Sequence, residues 1–228
     1  MKKSLLFIAG AGAAAAAISL YQPSKSVQAT PAVDVDVVSA PQGAKVALRY
    51  TTAATGNAAR YRIKEQLVGL DLPNDAVGET NGVTGVIAAD AKGNVIASES
   101  KFTIDVTRLK SDKDRRDNFV RRRVLETEQY PSVTFVPKSV RGVSLPLPKS
   151  GTRSFEIIGD MTVRGTTKPT VWKVDAQFHA DRMTGAASTS FTFADFGIDQ
   201  PKVPVVLSVD ETIKLELDFT LVPAPNPG

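Results

Sequence analysis

The stretch Ile213-Lys214-Leu215-Glu216-Leu217-Asp218-Phe219-Thr220-Leu221 alternates apolar and polar side chains without a break. Successive side chains of a strand point to opposite faces, so this pattern specifies one dry face and one wet face. The same period of two recurs upstream in Tyr61, Ile63 and Leu67, where Glu65 interrupts the apolar side, and in Phe102, Ile104 and Val106. It returns in Val133 and Phe135, in Phe155 and Ile157, in Met161 and Val163, in Trp172, Val174, Ala176 and Phe178, and in Thr189, Phe191 and Phe193. Two runs, Val83 to Ala89 and Val95 to Val106, are joined by the hairpin signal Asp90-Ala91-Lys92-Gly93-Asn94, and Pro73 to Asp75 reads as a turn. Short strands at this spacing, separated by Gly and Pro turns, predict an all-β sandwich or a closed antiparallel barrel of about eight strands. Closure removes the edges that long alternating strands would otherwise offer to other chains.

One segment departs from the pattern. Asp112 to Glu128 is charged, lacks β-branched runs and ends before Tyr130-Pro131, which predicts a short helix across one end of the barrel. Its run from Lys113 to Arg123 carries six cations and two acids. A solvated face is the simplest reading of such a run. The functional reading is peripheral contact with an anionic membrane surface or lipid phosphate through Arg121, Arg122 and Arg123, worth about 1 kcal/mol per cation. Arg116 and Asp117 read as an ion pair or helix cap that fixes the helix on the barrel.

At the amino end, Lys2 and Lys3 precede an uncharged run from Leu5 to Leu20 and a polar stretch to Gln28, the order of parts of a signal peptide. Val27-Gln28-Ala29 offers cleavage after Ala29, so residues 1–29 are expected to be removed and the protein to be periplasmic or secreted; an uncleaved anchor is the alternative. Removal takes three lysines and no acid, and the formal net charge falls from +4 to +1. The basic balance is thus largely a property of the leader, which argues against a nucleic-acid partner. Residues 30–45 read as a linker or edge strand, 46–222 as the barrel domain, and the Pro-rich 223–228 as a disordered tail.

Chemistry finds few candidates. The chain has no cysteine and one histidine, His179, which excludes disulfides, thiolate metal sites and a typical zinc or copper centre. No Gly-x-Ser-x-Gly elbow, phosphate loop or EF-hand spacing is present, so no catalytic residue, metal or cofactor is expected.

Four ordered stretches carry a resemblance. They are Phe102-Thr-Ile-Asp-Val-Thr-Arg-Leu109 leading to Arg116-Asp117; Glu126-Thr-Glu-Gln-Tyr-Pro131 with Val133-Thr-Phe135; Gly159-Asp-Met-Thr-Val-Arg-Gly-Thr-Thr-Lys-Pro169; and Asp195-Phe-Gly-Ile198. As a set spanning roughly Ala58 to Val222 they resemble the YceI-like, polyisoprenoid-binding family. That resemblance implies an extended, lipocalin-like barrel, exported and non-enzymatic, whose interior holds a long isoprenoid or similar apolar lipid. The residues expected to contact it are Phe102, Ile104, Val106, Phe119, Phe135, Trp172, Val174, Phe178, Phe191, Phe193 and Phe196. The sequence departs from the family pattern at Asn118-Phe119, where a histidine commonly follows Arg-Asp by two, and at Phe193, where an arginine is common. Both changes imply a drier site. The alternative from a different class is an envelope interaction or stress-protective protein with a filled barrel, acting through loops such as Leu70 to Thr80 and the insert Ser144 to Gly151.

Overall fold

The computed structural model describes residues 39–41, 43–68, 73–202 and 206–225, without the side chain of residue 67. The leader and the possible edge strand in 30–38 lie outside them. Eleven strands follow one another as β1 (Leu48–Thr52), β2 (Ala58–Leu67), β3 (Asn74–Thr80), β4 (Val83–Ala89), β5 (Lys101–Asp105), β6 (Ser132–Arg141), β7 (Gly151–Val163), β8 (Thr166–Phe178), β9 (Met183–Thr192), β10 (Val206–Val209) and β11 (Thr212–Pro223). Among the described residues one α-helix, α1 (Asp114–Phe119), runs into a π-type turn over Val120–Val124.

The strands close into an antiparallel barrel in the order β1-β4-β5-β6-β7-β8-β9-β11, with β11 returning to β1. Eleven strands make eight wall positions because three positions are broken. The N-terminal half of β11 pairs with β2 and its C-terminal end with β1, so β1 and β2 form one interrupted wall strand. β3 and β4 continue it on the other side, and β10 extends the β11 position alongside β2.

Two of the three breaks are sealed by a polar side chain. Between β1 and β2, where Gly56 is left-handed at φ +83°, Asn57 donates to the Ala53 carbonyl at 2.7 Å and accepts the Thr220 amide at 3.0 Å. Between β3 and β4, Thr80 Oγ1 donates to the Asp105 carbonyl at 2.9 Å and accepts the Gly82 amide at 3.1 Å. Backbone groups that would be orphaned in a low-dielectric wall are thereby satisfied.

The β11 pattern resolves as read. Ile213, Phe219 and Leu221 are buried, with Leu215 and Leu217 packed against the same core. The opposite face forms a cross-strand charge ladder in which Arg60 bridges Asp218 and Glu79, and Arg62 bridges Glu216 and Asp75. Exposed pairs of this kind each contribute only about 0–1 kcal/mol. The apolar row, not the ladder, holds the wall.

Several expectations are corrected. The helix does not span Asp112 to Glu128: it starts at Asp114, and the chain leaves helical geometry after Val124, with Glu126 left-handed at φ 50°. Tertiary ties override propensity there, because Glu126 pairs with Arg164 at 2.8 Å and Tyr130 lies over Gly165 in the β7–β8 turn. Val95 to Val106 is not one strand. A 3-10 turn over Ala97–Glu99 interrupts it, closed by the buried Ser100 hydroxyl, which donates to the Ile96 carbonyl and accepts the Ala88 amide. Asn74 and Asp75 belong to β3, opposite Glu65 and Lys64, and not to a turn. β11 continues through Pro223, and the Ala224 amide bonds Arg49, so the sheet reaches into the expected tail.

Candidate functional site

The inward rows do not fill the barrel. They enclose a continuous cavity of about 660 Å3 lined almost throughout by aliphatic and aromatic side chains, within the roughly 300–1,000 Å3 typical of ligand cavities. The longest wall strands have 13 residues. At about 3.3 Å per residue and a tilt near 40°, such a wall stands roughly 30 Å tall. An apolar cavity inside walls of this height has room for an extended chain.

Four glycines stand close to inward rings. Tyr61 lies across Gly78, Phe102 across Gly85, Phe135 against Gly159, and Phe219 against Gly185. The Tyr61 and Phe102 rings fill the space that a side chain on Gly78 or Gly85 would need, while at Gly159 and Gly185 a strand carbonyl stands nearer than the ring. A Cβ on Gly85 would fall 2.1 Å from Phe102 Cδ1. Alanine normally gains about 0.5–1 kcal/mol over glycine within a strand, whereas forcing a packed ring aside costs about 1–3 kcal/mol. Gly85→Ala is therefore expected to destabilise the barrel and narrow the lumen, read as a lower Tm and weaker uptake of a long apolar ligand. A raised Tm with unchanged uptake would show that the ring does not depend on the gap.

The two ends differ in chemistry. At the loop end the lining is Val143, Leu145 and Leu147 with Phe178 and Met183. The Ser144 to Gly151 insert thus contributes Leu145 and Leu147 to the lining. At the helix end Phe119, Val120, Val124 and Leu125 face the lumen, together with Tyr61, Glu65 and Arg116. Glu65, read as an interruption of an apolar row, is only 7 % exposed. Its Oε1 accepts from Arg116 Nη2 at 2.5 Å, and Arg116 also pairs with Asp112. Asp117, 4 % exposed, accepts the Ser111 amide at 2.8 Å and the Ser111 hydroxyl at 2.6 Å. Arg116 therefore ties α1 to the wall through Glu65, while Asp117 ties α1 to the preceding loop.

Burial pushes the Tyr61 phenol up to about 12; Arg116 opposes this, and Asp117, Glu65 and Asp112 reinforce it. Because the raised value favours the neutral form in the folded state, this contribution is complete below the unfolded value near 10 and is lost as pH rises to about 12. It is worth roughly 2–3 kcal/mol. Absorbance titration of tyrosinate is expected to show a step near pH 12 that Tyr61→Phe removes; a Tyr61 step near pH 10 would contradict the burial argument.

Ten of the eleven residues expected at the site line the cavity: Phe102, Ile104, Val106, Phe119, Phe135, Trp172, Val174, Phe178, Phe191 and Phe193. Phe135 and Trp172 meet at 5.9 Å between ring centroids. Phe196 does not line it. It is 2 % exposed and packs edge-on against Phe191 at 4.8 Å, in the layer behind the lining. The Asp-Phe-Gly stretch explains this placement. Asp195 accepts from the Thr192 amide and hydroxyl, Gly197 takes φ 64°, and the tight turn there sets Phe196 behind Phe191. Sequence reasoning missed Tyr61, Glu65 and Arg116 as lining groups, and the loop-end leucines.

Arg121, Arg122 and Arg123 do not line the lumen. Arg121 donates to the Leu109 carbonyl and to Asn118, and the other two are exposed. The lining cations at that end are Lys113, Arg115 and Arg116. His179 lies in the β8–β9 turn, its amide bonded to the Arg182 carbonyl, away from the cavity lining. Among the described residues no group of three or more histidine, aspartate or glutamate side chains is placed to hold a metal ion.

A closed eight-stranded antiparallel barrel around one long apolar lumen, capped by a short helix, defines the class of lipocalin-like barrels. The sequence matches the YceI-like domain over residues 50–221, and the chain belongs to that family. Among solved structures, a polyisoprenoid-binding domain from Saccharophagus degradans aligns at a TM-score of 0.59, with 13% identity, over 78% of this chain and 99% of its own. BcnA of Burkholderia cenocepacia aligns at 0.51, with 13% identity, over 72% of this chain and 95% of its own. The YceI protein of Campylobacter jejuni aligns at 0.51, with 16% identity, over 71% and 91%. At these identities the likeness is one of fold. No curated protein matches the chain.

Proposed function

We propose that the protein is an exported, non-enzymatic carrier or reservoir that holds one polyisoprenoid or similarly long apolar lipid along the barrel axis. The open apolar lumen is the observation that supports this most strongly. A barrel of eight strands either packs its interior or takes one small ligand, and here the inward rows leave a cavity. The same observation disfavours the filled-barrel reading. Membership in a family of binding domains and the position of His179 outside the lining favour binding over turnover. Export rests on Lys2, Lys3, the uncharged run to Leu20 and the cleavage pattern at Ala29. Peripheral contact with an anionic membrane is a further part of the proposal, supported by the exposed Arg122 and Arg123 on the helical segment. Vesicle flotation with and without anionic lipid reads it out, and equal partitioning would remove it.

Uptake of a long-chain polyprenol and a long-chain quinone by delipidated protein tests the main claim. One equivalent per chain, with shorter homologues bound more weakly, is expected. No uptake of any long apolar chain would overturn it.

A further inference from the structure

Resting on that reading, we infer that Ser111 to Leu125 is a flap through which the ligand enters and leaves the lumen, hinged after Lys110 and at Glu126 and latched to the barrel by Arg116 on Glu65.

The segment belongs to the lumen but not to the sheet. It contributes Phe119, Val120, Val124 and Leu125 to the lining, yet among the described residues no backbone hydrogen bond joins it to a strand. Its own backbone bonds close within it: the Asp117 amide donates to Lys113, the Val120 amide to Arg116 and Asp117, and the Leu125 amide to Val120. The strands behind the rest of the lining are held differently, β7 and β8 being paired along their whole length.

The chain on either side of the segment is fixed. Glu79 and Lys110 exchange both backbone bonds, at 2.8 and 2.9 Å, and Glu126 pairs with Arg164 of the β7–β8 turn at 2.8 Å. Because Asp117 holds the Ser111 amide and hydroxyl, Ser111 travels with α1, and the first hinge falls after Lys110. The second is Glu126, left-handed at φ 50° just beyond the π-type turn. Turns of π geometry recur at functional sites, and hinges are a few element-terminal residues that absorb a change of φ and ψ.

Few polar ties hold the flap down. Among the described residues, Arg116 to Glu65 of β2 is the one that reaches a strand. The others are Arg121 to the Leu109 carbonyl at 2.9 Å, Arg164 to the Val124 carbonyl at 3.2 Å, and the Thr127 amide to the Arg121 carbonyl at 2.8 Å. Opening gives up these ties and the cover of four apolar side chains, whereas parting two wall strands gives up a ladder together with its inward row. Local opening takes the route with fewer such losses. A ligand chain lying against Phe119, Val120, Val124 and Leu125 makes contacts that exist only with the flap down, so loading shifts it toward the closed state.

Two measurements test the flap. In delipidated wild-type protein the amides of Asp117, Val120 and Leu125 are expected to exchange hydrogen about a hundredfold faster than those within β7 and β8, and to slow about tenfold once a polyprenol is loaded. Exchange as slow as in β7 and β8 would overturn the inference without any variant. The chain has no cysteine, so Glu65→Cys with Arg116→Cys places the only two thiols at the latch and leaves neither charge without its partner. Joining them with a reversible bifunctional thiol reagent is expected to slow polyprenol uptake and release about tenfold, and cleaving the link to restore both. Linked and unlinked forms of one variant are compared, so the effect of the substitutions cancels. Equal rates with and without the link would overturn the inference and leave the carrier reading standing. Wild-type protein that takes up no polyprenol would sink the carrier reading instead, while exchange in the empty protein would still decide whether the flap opens.

Discussion

Ala187→Trp is expected to abolish uptake of a long apolar ligand, lowering it at least a hundredfold, while the barrel stays folded. Ala187 lies near the middle of β9, opposite Val174 on one side and Leu217 on the other, and all three line the lumen. An indole in an ordinary packed core would cost about 1–3 kcal/mol through displaced neighbours. Here the ring enters space that is already open, so the expected change in Tm is small, within roughly the 2–4 °C that corresponds to 1 kcal/mol in a domain of this size. The separation of the two readouts is what makes the variant informative. Retained uptake in a folded Ala187→Trp protein would place binding somewhere other than the lumen.

The second large effect concerns the tie between helix and wall. Arg116→Met removes the partner of a nearly buried carboxylate and is expected to cost about 3–5 kcal/mol, because Glu65 is left uncompensated in a low-dielectric wall. Adding Glu65→Leu is expected to return most of that loss, since two apolar side chains of similar volume need no desolvation offset. Urea denaturation of the single and double variants measures both. A double variant as unstable as Arg116→Met alone would mean that Arg116 acts mainly through Asp112 and the Ser111 loop.

The barrel was legible because its signal is local and repeated. Each row, above all Ile213 to Leu221, carries its own statement of which face is dry, and tertiary structure had only to close the rows into a ring. The helix was half legible: charge and the absence of β-branched runs marked it, but its end is set by the Glu126–Arg164 pair and by Tyr130 over Gly165. Those contacts join residues about 35 or more positions apart in the chain, which no local pattern reports.

The lining split along the same line. Alternating aromatic rows identified Phe102, Phe135, Trp172 and Phe191, because a residue on the dry face of a barrel strand faces the lumen. Phe196 failed that reasoning because its motif builds a turn, and the turn directs the ring behind the wall. Glu65 was visible only as an exception. An acid in an apolar row is ambiguous until its partner is known, and Arg116 lies 51 residues further on. The short motifs carrying the family resemblance turn out to be mainly fixtures of the helix end, namely Asp117, Tyr130, Arg164-Gly165 and Asp195. They build that end of the barrel and say little about what fills it.

The central claim is that the lumen holds a long apolar chain. Mass spectrometry of the organic extract from protein purified without detergent tests it most directly. The expected result is a lipid with a long hydrocarbon chain, near one per protein, absent from an extract of the Ala187→Trp variant prepared in parallel. An empty extract from the wild-type protein, or the same lipid at the same amount from the filled variant, would contradict the account.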